Sequence, residues 1–171
     1  MDGIMVTIND MLECRERRVR IQESLISTYH QPVLSFCMNI PGPIKTNTQI
    51  QAAFRAGKEA LLKALSERHI TILDSTVFQD ATGDEWIMAL NAPAADIKAI
   101  TTKIEESHPL GRLFDMDVIG LDGMKLSRGT YRSCILCGCQ AQECARSRKH
   151  SVEELQDKIM KMIDAYEGAR S

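Results

Sequence analysis

ITILDSTVFQDATGDEWIMALN, residues 70–91, decides the fold. Residues 70–78 and 85–91 are rich in strand-forming side chains, and Asp80-Ala81-Thr82-Gly83-Asp84 between them has the composition of a tight turn, so the stretch reads as a β-hairpin. Upstream, Ile50, Ala53, Phe54, Leu61 and Leu65 recur at helical spacing up to about Arg68, with Thr48 and Gln51 placed as a capping box. Before that helix, PVLSFCMNI (residues 32–40) is a short apolar strand, stopped by Pro41-Gly42-Pro43. Downstream, Pro93 precedes a helix marked by Ile97, Ile100 and Ile104, and residues 113–121 read as a last strand that Asp122-Gly123 turns back. The order strand, helix, strand, strand, helix, strand predicts an α+β fold. Its core, about residues 30–122, is an antiparallel sheet of the split βαβ (ferredoxin-like) plan with helices on one face.

Two flanks complete the chain. In residues 8–29, Ile8, Met11, Leu12, Val19, Leu25 and Ile26 share one face of an N-terminal helix, with Asp10 and Glu13 as a candidate capping box. Arg15, Arg18 and Gln22 fall inside that stripe, which is costly unless something anionic or polar meets them or their heads snorkel at the helix edge. Residues 123–150 form an irregular Cys/Arg-rich segment. Ser151 and Glu154 then cap a C-terminal helix over residues 151–168 carrying Val152, Leu155, Ile159, Met162, Ile163 and Tyr166.

A length of 171 residues with 44% hydrophobic and 26% charged side chains suits one domain with a sizeable core and excludes global disorder. The formal charge of −2 excludes a uniformly basic nucleic-acid coat, and 5% aromatics without a base-stacking strand motif argue against nucleic acid as partner. No apolar run is long enough to span a bilayer, and the N-terminal residues lack a signal-peptide plan, so a cytoplasmic protein without a membrane partner is expected. Six cysteines in that compartment are then thiols or metal ligands rather than a disulfide framework.

The chemistry concentrates after His108. In a strand, Asp115 and Asp117 of HPLGRLFDMDV (residues 108–118) project to the same face, and a Mg²⁺ ion shared with substrate phosphates would relieve their repulsion. An ordinary solvated strand face is the competing reading. Residues 123–150 set six cations, Lys125, Arg128, Arg132, Arg146, Arg148 and Lys149, against Glu143, a composition that favours polyanions or is simply a solvated basic loop. Lys45 follows the rigid Pro41-Gly42-Pro43 turn near a helix start, but the glycine spacing excludes a Walker loop. Cys134, Cys137, Cys144 and His150 are the most plausible zinc set, with reduced structural thiols as the alternative; the cysteine spacing fits neither common iron–sulfur run. No nucleophile elbow is present in the sequence.

PVLSFCMNIPGPIK, SHPLGRLFDMDV, KLSR followed by Cys-x-x-Cys, and CARSRKHS, in this order, resemble the successive motifs of holo-citrate lyase synthase, the apo-citrate lyase phosphoribosyl-dephospho-CoA transferase family. The resemblance runs from about Met11 to the final helix. It implies a nucleotidyltransferase that moves the prosthetic group from 2′-(5″-triphosphoribosyl)-3′-dephospho-CoA to a serine of the apo-citrate lyase acyl carrier subunit and releases diphosphate. On this reading Asp115 and Asp117 hold Mg²⁺, and Arg112, Arg128 and Arg132 are the first choices for phosphate contacts. Arg15, Arg18 and Lys45 come second, with Arg146 and Arg148 as further substrate-binding candidates. The connection between Arg128 and Cys134 is shorter than the family's usual one, and Ser133 stands where a second arginine is common. A non-enzymatic zinc module binding a protein or anion, and a related transferase serving the malonate decarboxylase carrier, are the alternatives.

Overall fold

Alternation of apolar side chains builds a four-stranded antiparallel sheet in the computed structural model, which describes residues 1–170. In chain order the elements are α1 (Ile8–Tyr29), β1 (Val33–Met38), α2 (Thr48–Glu67), β2 (Ile72–Asp80), β3 (Gly83–Leu90), α3 (Ala94–Ser107), β4 (Phe114–Ile119), α4 (Ala141–Ser147) and α5 (Val152–Gly168), with a 3₁₀ turn at Gly111–Leu113 leading into β4. The strand order is β2-β3-β1-β4, and every neighbouring pair is antiparallel. The expected hairpin closes Asp80 on Gly83, whose φ of +108° is open to glycine and costly for other residues.

One face of the sheet carries Leu34, Phe36, Trp86, Met88, Phe114, Met116 and Val118, all buried against Ile50, Phe54 and Leu61 of α2, Ile97, Ile100 and Ile104 of α3, and Ile159 and Ile163 of α5. Phe36 stacks on Phe54 at 4.7 Å between ring centroids and meets Phe114 edge-on at 5.5 Å. Gly57 of α2 lies directly against the Phe36 and Phe114 rings. A Cβ there would collide with Phe36 Cζ and come within 2.9 Å of Phe36 Cε1 and 3.1 Å of Phe114 Cε1.

The core helices α2 and α3 share one face as expected, and they are not joined there by the flanking helix α1. It packs on the opposite face, over β3 and β1, where Leu25 joins Val33, Ile87, Ala89 and Ile119 in a second, smaller core. The buried side of α1 is Cys14, Gln22 and Leu25, whereas Ile8, Leu12 and Val19 of the anticipated apolar stripe are exposed. β3, covered on both faces, is buried along its whole length, and β2 remains a mostly exposed edge.

Helix ends follow local chemistry, displaced by a residue or a few from the sequence reading. Thr7 caps α1 reciprocally with Asp10, and the Asn47 side chain, rather than Thr48, accepts the Ile50 N–H at the start of α2. Ser151 and Glu154 form the expected capping box of α5. The segment expected to be irregular contains the short α4. Among the described residues, no helix is long and apolar enough to cross a membrane.

Gly57→Ala tests the close approach of α2 to the sheet. Alanine gains about 1 kcal/mol in helix propensity, but overpacking locked aromatic rings costs about 1–3 kcal/mol. Urea unfolding is expected to show a net loss of stability, deeper for Gly57→Val; a stabilised alanine variant would mean the rings move aside freely.

Candidate functional site

Antiparallel register aligns the polar residues of three strands. Asp115 stands opposite Cys37, which on its other side stands opposite Glu85; one step along, Asp117 stands opposite Ser35, which faces Ile87. Directly opposed residues share a face, so both aspartates lie on the side of the sheet that α1 partly covers. Arg18 meets Glu85 there: its Nε donates to Oε1 at 3.0 Å and its Nη2 forms an ion pair with the same oxygen, while Cys14 Sγ lies 3.3 Å from it. Gln22 Nε2 donates to Ser35 Oγ at 2.6 Å. The polar partners that Arg18 and Gln22 required are therefore supplied by the sheet itself.

Because α1 lies over β3 and β1, the β4 carboxylates stay accessible: the side chains of Asp115 and Asp117 are 40% and 23% exposed. Lys125 Nζ reaches Asp117 Oδ1 at 2.6 Å, and Arg132 Nη1 stands 3.8 Å from Asp115 Oδ1. Burial, and then the neighbouring Asp117 charge, hold the Asp115 carboxyl above its ordinary pKa, against the pull of Lys125, Arg132 and Arg18. Cys37, enclosed between them, has its thiol pushed up to about 12 by burial and by Asp115. Lys45 donates to the Ile40 carbonyl at 2.7 Å; burial and the nearby Arg15 lower its pKa. Arg15 is exposed, and the two cations border one depression beside Gly42 and Pro43.

Behind β4, the buried Glu105 carboxylate of α3 gathers the other cations. Its Oε1 accepts from the Met116 N–H at 2.8 Å and from Arg132 Nη2 at 2.9 Å, and its Oε2 pairs with Arg128 Nη2. Arg132 also donates to the Phe114 carbonyl, and Arg112 to the Ser133 carbonyl. Burial lowers the Arg112 pKa, as do Arg132 and Arg128, and Arg112 Nε is buried without a hydrogen-bond partner among the described residues. Three guanidinium groups around one buried carboxylate leave a positive excess next to the aspartate pair.

Arg112 also belongs to the wall of a cavity of about 500 Å³, together with Leu113, Ile135, Arg148, Leu155 and Ile159. Neither aspartate is in that wall. Arg148 closes α4 in the left-handed region at φ 48°, and Arg146, on α4, is exposed. Cys134, Cys137, Cys144 and His150 come together, with their ligand atoms all within 4.8 Å of one another. The structure thus groups Asp115, Asp117, Arg132, Arg128 and Arg112, pairs Arg18 with Glu85 on the face of the aspartates, and sets Lys45 and Arg15 together at the depression beside Gly42 and Pro43.

Glu85, Glu105 and Lys125 were not singled out as site residues in the sequence. A usable signal existed for Glu105, which follows Ile97 by eight residues and Thr101 by four and so lies along the buried flank of α3. Chemically, half-desolvated carboxylates beside fixed guanidinium groups can hold a cation and bind a polyphosphate.

The raised Asp115 pKa gives a stability test. The native state binds this proton more tightly than the unfolded chain, whose carboxyl titrates near 3.8, so the ionised group subtracts stability at neutral pH; that penalty is relieved as pH falls through the raised native value toward 3.8. Asp115→Asn is expected to raise the thermal midpoint at neutral pH in chelator-containing buffer and to flatten its pH dependence in that window. A lower midpoint would show that the contact with Arg132 outweighs the repulsion.

Residues 6–166 match the family described as apo-citrate lyase phosphoribosyl-dephospho-CoA transferase. A Vibrio cholerae serotype O1 protein named "Probable apo-citrate lyase phosphoribosyl-dephospho-CoA transferase" is 37% identical over 168 residues, covering 95% of this chain and 94% of its own. Proteins named apo-citrate lyase phosphoribosyl-dephospho-CoA transferase from Citrobacter koseri and Escherichia coli are 35% and 34% identical, covering 88% and 93% of this chain and 84% and 89% of their own. A match that spans nearly the whole chain, with relatives aligned over most of their own length, places this protein in the apo-citrate lyase phosphoribosyl-dephospho-CoA transferase family.

Proposed function

We propose that this protein transfers the phosphoribosyl-dephospho-CoA group from 2′-(5″-triphosphoribosyl)-3′-dephospho-CoA to a serine of the apo-citrate lyase acyl carrier subunit, releasing diphosphate, in the cytoplasm. Membership of the family supports the group transferred and the acceptor enzyme. The observation that carries the chemistry is the pair Asp115 and Asp117 on one accessible face of β4, beside an Arg112–Arg128–Arg132 cluster with more positive charge than Glu105 offsets. The strand order and antiparallel pairing support reading β1 to β4 with α2 and α3 as the split βαβ core of a single nucleotidyltransferase-like domain. A non-enzymatic zinc module and a malonate decarboxylase transferase are not favoured, since the relatives' names specify a transferase and citrate lyase.

The fit of Mg²⁺ rests on Asp115. Its carboxyl is partly desolvated and repelled by Asp117, an arrangement that a divalent cation stabilises. Asp115 and Asp117 would hold the ion, which when bound supplies charge neutralisation at the non-bridging phosphate oxygens. The protein's own groups do the rest. Arg132, fixed by Glu105 and the Phe114 carbonyl, points its remaining donor capacity toward the Asp115 side and is placed to orient the triphosphate. The carrier serine oxygen forms a bond to the phosphorus attached to the ribosyl group, the bond from that phosphorus to the diphosphate oxygen breaks, and the serine proton passes to solvent. Arg128 and Arg112 stabilise the charge developing on diphosphate, with Lys45 and Arg15 offering further cations, while Arg18 is already paired with Glu85. The mixed cavity behind Arg112, lined by Leu113, Ile135 and Leu155, suits the dephospho-CoA part of the donor.

Incubating the protein with donor, Mg²⁺ and apo-carrier, and following diphosphate release with the carrier's mass, tests the reading. Asp115→Asn and Asp117→Asn are each expected to lose at least about a hundredfold in rate, the scale of removing one electrostatic contact at a developing charge. Full activity in both variants would remove the carboxylate pair from the mechanism, and faster transfer to the malonate decarboxylase carrier would reassign the acceptor.

A further inference from the structure

We infer that Cys134, Cys137, Cys144 and His150 form a closed, structural Zn²⁺ site that fixes one wall of the cavity behind Arg112. The inference stands on four side chains outside the proposed transfer chemistry and does not depend on it.

Across residues 121–150 only Cys134 and Cys144 are buried. A segment of that length has no apolar core of its own to oppose the entropy of ordering it. Yet it converges on a single point. One thiol comes from each end of the Cys134 to Cys137 turn, one from α4 and an imidazole from just beyond it, and all four ligand atoms lie within 4.8 Å of one another.

The spacing fits a metal better than a covalent link. Cys137 Sγ and Cys144 Sγ are 3.4 Å apart, against about 2.05 Å in a disulfide; Zn–S bonds of about 2.3 Å give a tetrahedral S···S edge of about 3.8 Å. His150 supplies a second, independent sign. Its Nε2 is buried and has no hydrogen-bond partner among the described residues, an expensive state for a ring nitrogen that a metal ion would relieve.

The backbone is shaped to present these ligands. Gly138, directly after Cys137, has φ +72°, and its N–H donates to the Cys134 carbonyl at 3.0 Å, while the Cys134 N–H donates to the Cys139 carbonyl at 2.6 Å. A Cβ on Gly138 would meet nothing within 4 Å, so the demand for glycine there is conformational. At the other end, Arg148 in the left-handed region and the Lys149 N–H bonded to the Cys144 carbonyl at 3.1 Å turn the chain so that His150 comes back to the thiols. Cys139 stays exposed and outside the quartet.

Three thiols and one imidazole gathered within 4.8 Å of one another favour Zn²⁺, and four protein ligands leave no open position, which marks a structural rather than a catalytic ion. Cys134, Cys144 and His150 also line the 500 Å³ cavity with Arg112 and Arg148. The ion would therefore hold the wall that carries Arg148.

The test uses the full chain, purified without chelator or nickel. Elemental analysis is expected to give about one zinc per chain, and growth with cobalt to give the intense visible d–d bands of a tetrahedral thiolate site. Cys139→Ser is expected to keep the full complement, and Cys137→Ser to lose at least tenfold in bound zinc. Less than about a tenth of an equivalent in the native chain, weak octahedral cobalt bands, or equal loss in Cys139→Ser would each overturn the site. Should Cys137→Ser not fold, the cobalt spectrum of the native chain and the Cys139→Ser content decide.

Discussion

One buried carboxylate, Glu105, organises the positive side of the candidate site. Taking it out of water is costly, and burial accordingly pushes its pKa up, while Arg132, the Met116 N–H and Arg128 pull the other way. Ion pairs of this kind are weak evidence for stability, because an apolar replacement of similar volume often serves as well. What an apolar replacement would not do is aim two guanidinium groups. Glu105 holds Arg128 and Arg132 by one oxygen each and is itself tied to β4 through Met116. With a single negative charge it leaves the cluster, Arg112 included, short of counter-charge, and such a cluster attracts anions.

A second buried pair, Arg18 with Glu85, does the complementary job on α1. It ties the helix to β3, alongside the Gln22–Ser35 bond and the Leu25 core, and the helix so placed leaves the β4 carboxylates accessible. The consequence is electrostatic as well as steric. Asp115 is enclosed enough for desolvation and Asp117 to raise its pKa, yet exposed enough for a ligand to reach it. Carboxylates crowd on β4 and guanidinium groups behind it, linked by the Lys125–Asp117 ion pair and the longer Arg132–Asp115 contact.

Much of this was legible from residue order. The hairpin, the strands flanking Pro41 and Asp115, and the periodic helices α2 and α3 follow from apolar spacing and turn chemistry, and Asp115 and Asp117 share a face because strand geometry has a period of two. The face buried by α1 was not legible. Ile8, Leu12 and Val19 outweigh Cys14 and Gln22 on any hydropathy scale, but the sheet surface awaiting the helix presents Ser35, Cys37 and Glu85, so polar complementarity chose the orientation. Arg18 and Gln22 were the clue, since their presence inside an apolar stripe required polar partners that only the tertiary structure could name. Glu105 was hidden for the same reason: a glutamate near a helix end looks solvated until the arginines that enclose it, more than twenty residues later, are brought back across β4.

That return path explains why residues 123–150 are built with so few buried apolar groups. The segment must leave β4, deliver Lys125 to Asp117, Arg128 and Arg132 to Glu105, and then form a wall beside Arg112, all while leaving the cavity there open. A hydrophobic plug thick enough to fix it would fill the cavity it borders. Short-range fastenings avoid that conflict: ion pairs at one end, the hydrogen bond from Arg112 to the Ser133 carbonyl in the middle, and a compact thiol and imidazole quartet at the other, each of which holds the backbone locally and leaves the space beside it open.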